Sequence, residues 1–158
     1  VHWRRERLSA KTHVWLGGAQ AREVNPMRVS SRGEYGLRAL YDLAEHYAEG
    51  SIPSADIARR QHIPPNYLNQ LLIVLRRSGL IHSERGRRGG HRLARAPQKI
   101  TLSEAVQALD GSTAPVDCVD DVTTCDEHCA YCYVWREVKE VTESVLGKKT
   151  LADVTAHR

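Results

Sequence analysis

The sequence predicts a mainly α-helical fold with one small β-hairpin and a long helix near the C-terminus. Three patterns predict it. Leucines recur at helical spacing in the middle of the chain, a glycine-rich turn separates two short extended runs, and valines recur at i, i+4, i+7 and i+11 in the last third. With 158 residues and 41% apolar content, the chain is about one domain in size and has no apolar run long enough to cross a membrane.

Charge divides the chain into three parts. Residues 1–26 carry a net charge of +3, residues 27–100 carry +7, and residues 101–158 carry −6. The first part has no sustained periodicity and stops just before Met27, so we expect a disordered N-terminal extension, translated from upstream of the true start. The basic middle part favours a polyanionic partner, although two solvated faces would give the same asymmetry.

The first helix is predicted over residues 31–50. Ser31 and Glu34 have the spacing of a capping box, and Gly50 is expected to end the helix. Residues at helical spacing form the predicted buried face: Leu37, Leu40, Tyr41, Ala44 and Tyr47.

Two further helices are separated by a tight turn. Ser54 is the expected N-cap of the first, which is short and ends at residues 62–64. Pro65 suits the first position of the second, which Gly79 ends. Its predicted buried stripe is Leu68, Leu71, Leu72 and Leu75.

A hairpin and three more helical segments follow. Residues 80–84 and 91–94 are the predicted strands, with RGRRGG between them. Thr101 and Glu104 form a second capping box, which opens a helix through Leu109, and a last capped turn begins at Thr150. Between them, a narrow seam predicts a long helix that pairs with a partner helix: Val134, Val138, Val141 and Val145.

A short helix, a tight turn, a second helix and a basic hairpin form the layout of a winged helix-turn-helix domain, here residues 27–100. In such domains the second helix enters the major groove of DNA, where Asn and Gln amides read adenine edges. The candidates on this helix are Asn66, Tyr67, Asn69 and Gln70. The alternatives are that Asn66 only caps a turn and that Asn69 is only solvated.

The hairpin loop is the predicted wing. Glycines let its backbone approach DNA closely, and arginines supply charge for phosphates or a narrow minor groove. The candidate DNA-binding residues outside the second helix are Arg28, Arg85, Arg87, Arg88, Gly89, Gly90 and Arg92.

All four cysteines lie within one short acidic stretch, with the spacing C-x6-C-x3-C-x2-C: Cys118, Cys125, Cys129 and Cys132. Closely spaced thiolates in a polar loop indicate a soft-metal site, and the last two cysteines resemble a ligand knuckle. Tetrahedral sulfur fits zinc as well as [2Fe–2S] or [4Fe–4S] clusters, and the spacing alone does not choose. Because no secretory signal is evident, we expect a reducing cytoplasm, where ligands are more common than disulfides.

Three segments together, MRVSSRGEYGLRALYDLA, IPPNYLNQLLIVLRRSGLI and SERGRRGGHRLA, resemble the IscR/NsrR/CymR family of bacterial winged-helix regulators. The resemblance covers residues 27 to about 155 and implies a homodimer, with crossing C-terminal helices in residues 101–158, that binds a palindromic operator as a repressor. It also implies an iron–sulfur cluster, with [2Fe–2S] favoured, because Cys132 stands three residues before Trp135 as a family ligand does. Cys118 and Cys125 match in order but not in spacing, and His91 replaces the usual Tyr.

Other functions are less well supported by the sequence. Structural zinc or a thiol/disulfide switch would keep DNA binding, whereas an iron–sulfur electron-transfer subunit would not. No catalytic triad pattern, phosphate loop or HExxH motif is present, so we expect neither an enzyme nor a small-molecule substrate.

Overall fold

This computed structural model describes residues 29–86, 89–121, 123 and 130–157. The predicted N-terminal extension therefore lies outside the described residues. Within them, the elements follow in this order: α1 Ser31–Glu45, α2 Ser54–Gln61, α3 Pro65–Arg77, β1 Ile81–Glu84, β2 Gly90–Leu93, α4 Leu102–Asp110, α5 Cys132–Gly147 and α6 Leu151–Ala156. Over the residues that the structure describes, the mainly helical fold with one small hairpin is as predicted. None of the described helices combines the length and apolarity needed to cross a bilayer.

Helix α1 lies at the centre of the molecule and packs against α2, α3, α4 and α6. The core is aliphatic and draws on α1 to α4, on α6 and on both strands. Its largest fully buried side chains are Leu40, Leu43, Ile57, Leu68, Leu71, Leu75, Leu80, Ile81, Leu93, Ile100, Leu109 and Leu151. Because α4 and α6 contribute to the same core, the basic and acidic parts of the chain are packed together. The domain boundary at residue 100 remains a prediction.

The start and end of α1 differ from the prediction. Ser30, rather than Ser31, is the N-cap: its Oγ accepts a hydrogen bond from the Gly33 amide at 2.9 Å. Ser30 is thus in the extended conformation that an N-cap needs, and Ser31 is the first helical residue. The helix ends at Glu45, and a separate 3-10 turn spans Tyr47–Glu49 before Gly50.

Helix α2 also begins differently, whereas α3 is confirmed. Ser54 is the first residue of α2 and not its cap, which is Pro53 and has no side-chain hydrogen bond. In α3, Pro65 occupies the first turn and the predicted leucine stripe is buried. The turn between the two helices requires His62 in the left-handed region, with φ of 53°.

A buried ion pair joins α1 to α2. Asp42 is fully buried, and Arg60 donates two hydrogen bonds to its carboxylate, at 2.9 and 2.7 Å. Gln61 donates a third at 3.2 Å. Pairing with Asp42 raises the pKa of Arg60, so the charged pair is maintained. This pair fixes the helix-turn-helix unit on α1.

The hairpin is also attached to the preceding loop. Ile52 and His91 exchange two backbone hydrogen bonds of 2.8 Å, which extends the two-stranded sheet by a bridge. A Cβ on Gly90 would lie 2.5 Å from the backbone carbonyl of Ile52. Only glycine permits this approach without a shift, so Gly90 has a packing role.

Candidate nucleic-acid interface and thiol site

Helix α3 has one face in the core and one in solvent. While its leucines are buried, Asn66, Asn69 and Gln70 are exposed on the other side. The spacing i, i+3, i+4 brings these three amides onto one stripe near the start of the helix. Such an arrangement can present paired donors and acceptors to base edges in a major groove.

Tyr67 lies differently from the three amides. Its ring is partly buried against the core and meets Tyr35 of α1 edge-on, with centroids 5.8 Å apart and an interplanar angle of 78°. The ring of Tyr67 therefore helps to fix the start of α3, in addition to the contact with DNA that is predicted for this residue.

The exposed stripe continues beyond the predicted residues. Ile73 is 43% exposed one turn after Asn69 and Gln70, although it is flanked by the buried Leu72. Arg76 and Arg77 follow, also exposed. We define the recognition face as Asn66, Asn69, Gln70 and Ile73. Extending the i+3, i+4 spacing along α3 would have found Ile73 from the sequence.

The wing consists of β1, β2 and the loop of residues 85–89. Its strands pair antiparallel, with Ile81 opposite Leu93 and Glu84 opposite Gly90. Arg85 is exposed at the start of the loop, and Gly86 has φ of 114°, which favours glycine. The Gly89 amide donates to the Gly86 carbonyl at 2.9 Å, which closes the turn.

Arg92 is already engaged with an acidic partner on the wing. Its Nε donates to Glu84 Oε1 at 3.0 Å, while Ser51 Oγ donates to Oε2 at 2.8 Å. The Ser51 hydrogen bond, followed by that of Arg92, lowers the pKa of Glu84. A phosphate contact by Arg92 would have to share the guanidinium with Glu84.

His91 fits where the resemblance expects an aromatic ring. It is half-buried, with Nδ1 2.9 Å from Ser83 Oγ on the opposite strand. Burial lowers the pKa of His91, and the positive charge of Arg76 lowers it further. The neutral ring is therefore the form that packs in the wing.

Two of the four cysteines are described, and the structure brings them together. Cys118 lies in the 3-10 turn Asp117–Val119, and Cys132 is the first residue of α5. Their Sγ atoms are 3.6 Å apart and both residues are half-buried. We call them the sulfur pair. Among the described residues, no group of three or more His, Cys, Asp or Glu side chains is arranged to hold a metal ion.

The segment containing Cys118 is attached to α5 by polar contacts. Lys139 Nζ donates to Asp120 Oδ1 at 2.7 Å, and Thr113 Oγ1 donates to Glu143 Oε1 at 3.2 Å. The Lys139 hydrogen bond, followed by one from Ser112, lowers the pKa of Asp120. These contacts lie on the side of α5 that also carries Cys132, since positions 132, 139 and 143 are 7 and 4 residues apart.

The valine seam, Val134, Val138, Val141 and Val145, is half-buried at its start and exposed in its second half. Val141 is 58% and Val145 55% exposed, and no residue of α5 is fully buried. Apolar side chains spaced for pairing, yet exposed to solvent, form a surface on which another helix can pack.

Five predicted site residues lie outside the described residues: Arg28, Arg87, Arg88, Cys125 and Cys129. Their roles in DNA or metal binding stay predictions.

Comparison with known proteins gives a consistent result. Residues 29–157 match the model of the Rrf2 family, described as an iron-dependent transcriptional regulator. The chain is 36% identical to the transcriptional regulator IscR of Xenorhabdus nematophila, over 84% of this chain and 81% of that protein. Among solved structures, T. potens IscR matches with a TM-score of 0.69 and 37% identity, over 82% of this chain and 87% of that one. CymR, the global cysteine regulator of B. subtilis, matches with a TM-score of 0.71 and 29% identity, over 83% and 98%.

Proposed function

Because the chain belongs to the Rrf2 family of transcriptional regulators, we propose that it is a homodimeric repressor whose operator affinity is controlled by an iron–sulfur cluster. The family and the matching relatives are DNA-binding regulators and not enzymes, as the sequence predicted. The proposed ligands are Cys118, Cys125, Cys129 and Cys132. The proposal places the protein in the cytoplasm, where it senses redox, nitric oxide or iron–sulfur status.

The observation that best supports DNA binding is that α3 has a buried leucine face and, opposite it, the exposed recognition face. Four buried leucines fix the helix, so its amides are held in place before DNA arrives. The wing follows directly, with Arg85 exposed on its loop. Amides in the major groove would read bases, while wing arginines would contact phosphates or the minor groove.

A dimer follows from the valine seam. Two copies that cross at α5 would cover each other's exposed Val141 and Val145 and relate their recognition helices by a two-fold axis. A two-fold protein requires a palindromic operator with a fixed half-site spacing. Anything that moves α5 relative to α3 would therefore change how well both recognition faces fit.

The sulfur pair fits a soft-metal cofactor. Its two thiols converge at 3.6 Å in an acidic, half-buried segment, and thiolates are the usual ligands of iron–sulfur clusters. When bound, such a cluster would supply iron that reacts with oxidants and nitric oxide. Cys132, as the first residue of α5, would transmit the state of the site to the helix with the valine seam.

The switch rests on a difference between two states of the same segment. With its thiolates ligated, residues 113–120 stay against α5. With the thiolates released, the segment would be held by weaker contacts such as the Lys139–Asp120 pair and the Thr113–Glu143 hydrogen bond, and ion pairs near the surface contribute little. A coupling of about 1–3 kcal/mol would change operator occupancy by roughly 5–150-fold.

The proposal is tested by operator affinity. A binding site is selected from random duplexes with anaerobically purified protein, and affinity is then measured for cluster-loaded and cluster-free protein at one salt concentration. We expect the two affinities to differ at least about fivefold. Failure to select any sequence would contradict the DNA-reading part, and equal affinities would contradict the switch alone.

A second candidate is a thiol/disulfide switch, favoured by the same 3.6 Å separation. Oxidation by a peroxide would join Cys118 to Cys132 through a new S–S bond while the peroxide O–O bond breaks. The two thiol protons end up on the two peroxide oxygens, which gives two waters from hydrogen peroxide or one alcohol and one water from an organic peroxide. Structural zinc is the remaining alternative. Iron and acid-labile sulfide in protein purified without air would favour the cluster over both.

A further inference from the structure

We infer that Arg92 pairs with Glu84 within the wing instead of contacting DNA, so that Glu84 withholds this guanidinium from phosphate. The inference rests on the proposed DNA binding and specifies which charged residues of the wing take part in it. The sequence groups Arg85 with Arg92, since both lie beside the same glycine-rich turn. In the structure their surroundings differ: Arg85 is exposed at the start of the loop, whereas Arg92 lies within strand β2.

The register of the hairpin places Arg92 and Glu84 on the outer face of the wing. Ile81 and Leu93 stand opposite each other and both are buried, so they form the inner face. Side chains alternate between the two faces of a strand, which turns Arg92 outward next to Leu93. Glu84 is the third residue after Ile81 and therefore also points outward, one diagonal step from Arg92. This geometry explains why the two charged side chains meet.

Both carboxylate oxygens of Glu84 are engaged. Oε1 accepts a hydrogen bond from Arg92 Nε at 3.0 Å, and Oε2 accepts one from Ser51 Oγ at 2.8 Å. Ser51 belongs to the loop between α1 and α2, whose next residue, Ile52, pairs with the backbone of β2. The residue opposite Glu84 is Gly90, which has no side chain, so the carboxylate can reach across β2 to Ser51. Glu84 thus connects both strands of the wing to the helix-turn-helix half.

The contact also cancels the charge that a phosphate would meet at this place. Sequence-independent binding to DNA depends on positive charge that displaces counterions from phosphates. A phosphate that approached Arg92 would also approach the carboxylate of Glu84, so attraction by one would be offset by repulsion from the other. Arg85 is not part of this pair. The phosphate contacts of the wing are therefore assigned to its loop.

Comparison of the wild type with the full-length Glu84→Gln/Arg92→Gln protein tests the inference. The double variant loses one negative and one positive charge, so its net charge is unchanged. We expect its affinity for a short random-sequence duplex to stay within about twofold of the wild type, and the slope of log affinity against log salt concentration to stay within about 0.3. A slope shallower by about 0.9, with several-fold weaker binding, would show that Arg92 contacts a phosphate and would overturn the inference.

The single variant Glu84→Gln measures the release of Arg92. It keeps an oxygen that can accept from Ser51 but removes the charge that holds Arg92, so we expect roughly two- to fivefold tighter binding of the random duplex and a slope steeper by about 0.9. The matched control Glu140→Gln removes the same charge from an exposed position of α5 and should leave the slope unchanged. Equal effects of the two substitutions would mean that only net charge matters, and the withholding role would be refuted.

The ion pair itself can be tested without DNA. Hydrogen bonds from Ser51 and then from Arg92 lower the pKa of Glu84. Carboxyl NMR titration should therefore give a higher Glu84 pKa in Arg92→Gln than in the wild type, and an unchanged one in Arg85→Gln. If Arg92→Gln left this pKa unchanged, the inference would fail whatever the DNA results. Wild-type protein that bound no duplex at low salt would refute the proposed DNA binding and with it the withholding role, whereas the ion pair would stand on the titration alone.

Discussion

Helices α3 and α5 have similar amphipathic patterns but opposite surroundings. Helix α3 buries four leucines in the core of its own chain, whereas none of the 16 residues of α5 is fully buried. The apolar face of α3 is therefore covered, and the exposed face is the polar one. In α5 two apolar residues of the valine seam, Val141 and Val145, are exposed together with charged residues such as Glu140.

This difference distinguishes two kinds of exposed surface. The recognition face of α3 needs no partner for folding, so it can remain polar and bind a reversible ligand such as DNA. The valine seam loses apolar contact with water only when another helix covers it. The helix-turn-helix half is thus complete within one chain, while the α5 half is the part that the proposed second copy would cover.

The largest expected effect comes from a charge in the valine seam. Val141→Asp would bury an unpaired carboxylate in the proposed dimer, which typically costs about 3–5 kcal/mol and raises the dimer dissociation constant by 100-fold or more. Sedimentation equilibrium measures the dissociation constant. Ser144→Asp, an exposed position of the same helix outside the seam, adds the same charge and should leave it within about threefold. An unchanged dimer dissociation constant for Val141→Asp would contradict the proposal that α5 packs on a second copy.

Neighbouring residues of α3 provide the next test. Leu72 is 2% exposed and Ile73 43% exposed. Leu72→Ala should lower the free energy of unfolding by about 2–5 kcal/mol. Ile73→Ala should change it by less than about 0.5 kcal/mol, yet weaken operator binding about five- to tenfold if Ile73 contacts a thymine methyl. Chemical denaturation and operator titration measure the two effects, and a large loss of stability in Ile73→Ala would place that residue in the core.

The parts of the fold predicted from sequence are those set by local contacts. Pro65 at the first turn of α3, its leucine stripe and the Gly79 stop all act within a few residues of each other, and each is confirmed. The capping box at Thr101 is confirmed for the same reason. The cap of α1 was misplaced by one residue because Ser30 and Ser31 are both good caps locally. Ser30 also donates to the Asp110 carboxylate, a contact across 80 positions of sequence.

The features that the sequence did not predict depend on distant partners. The burial of Asp42 requires Arg60 and Gln61 of the next helix, and an isolated aspartate in a helix is normally read as exposed. Gly90 was predicted to approach DNA, but the neighbour that excludes a side chain is Ile52. In the same way, the contact between Cys118 and Cys132, which are 14 residues apart, was not evident from the spacing of the cysteines.

Substitutions of two glycines test whether the wing is firmly packed against the helix-turn-helix half of the molecule. A Cβ on Gly90 would collide with the Ile52 backbone at 2.5 Å, whereas Gly147 at the end of α5 has nothing within 4 Å. Gly90→Ala should lower the free energy of unfolding by about 1–3 kcal/mol and weaken operator binding, because the wing must move away from Ile52. Gly147→Ala should be neutral or stabilise by up to about 1 kcal/mol. Thermal unfolding compares them, and equal melting temperatures would mean that the wing is only loosely attached.

The smallest expected effect is a pH dependence that originates in the wing. Since the pKa of His91 is lowered in the folded protein, the unfolded chain binds a proton near pH 6.5 that the folded chain binds only at lower pH. The contribution of His91 to stability is therefore complete well above pH 6.5 and is lost as the pH falls through 6.5 towards the lower pKa of the folded protein, so the range to measure is pH 7.5 to 5.5. His91→Gln retains a polar side chain for Ser83 but cannot titrate, so its unfolding free energy should fall less over this range. Identical pH profiles for the two proteins in urea denaturation would show that the wing does not exclude the charged imidazole, and the wing would then be as open to solvent as α5.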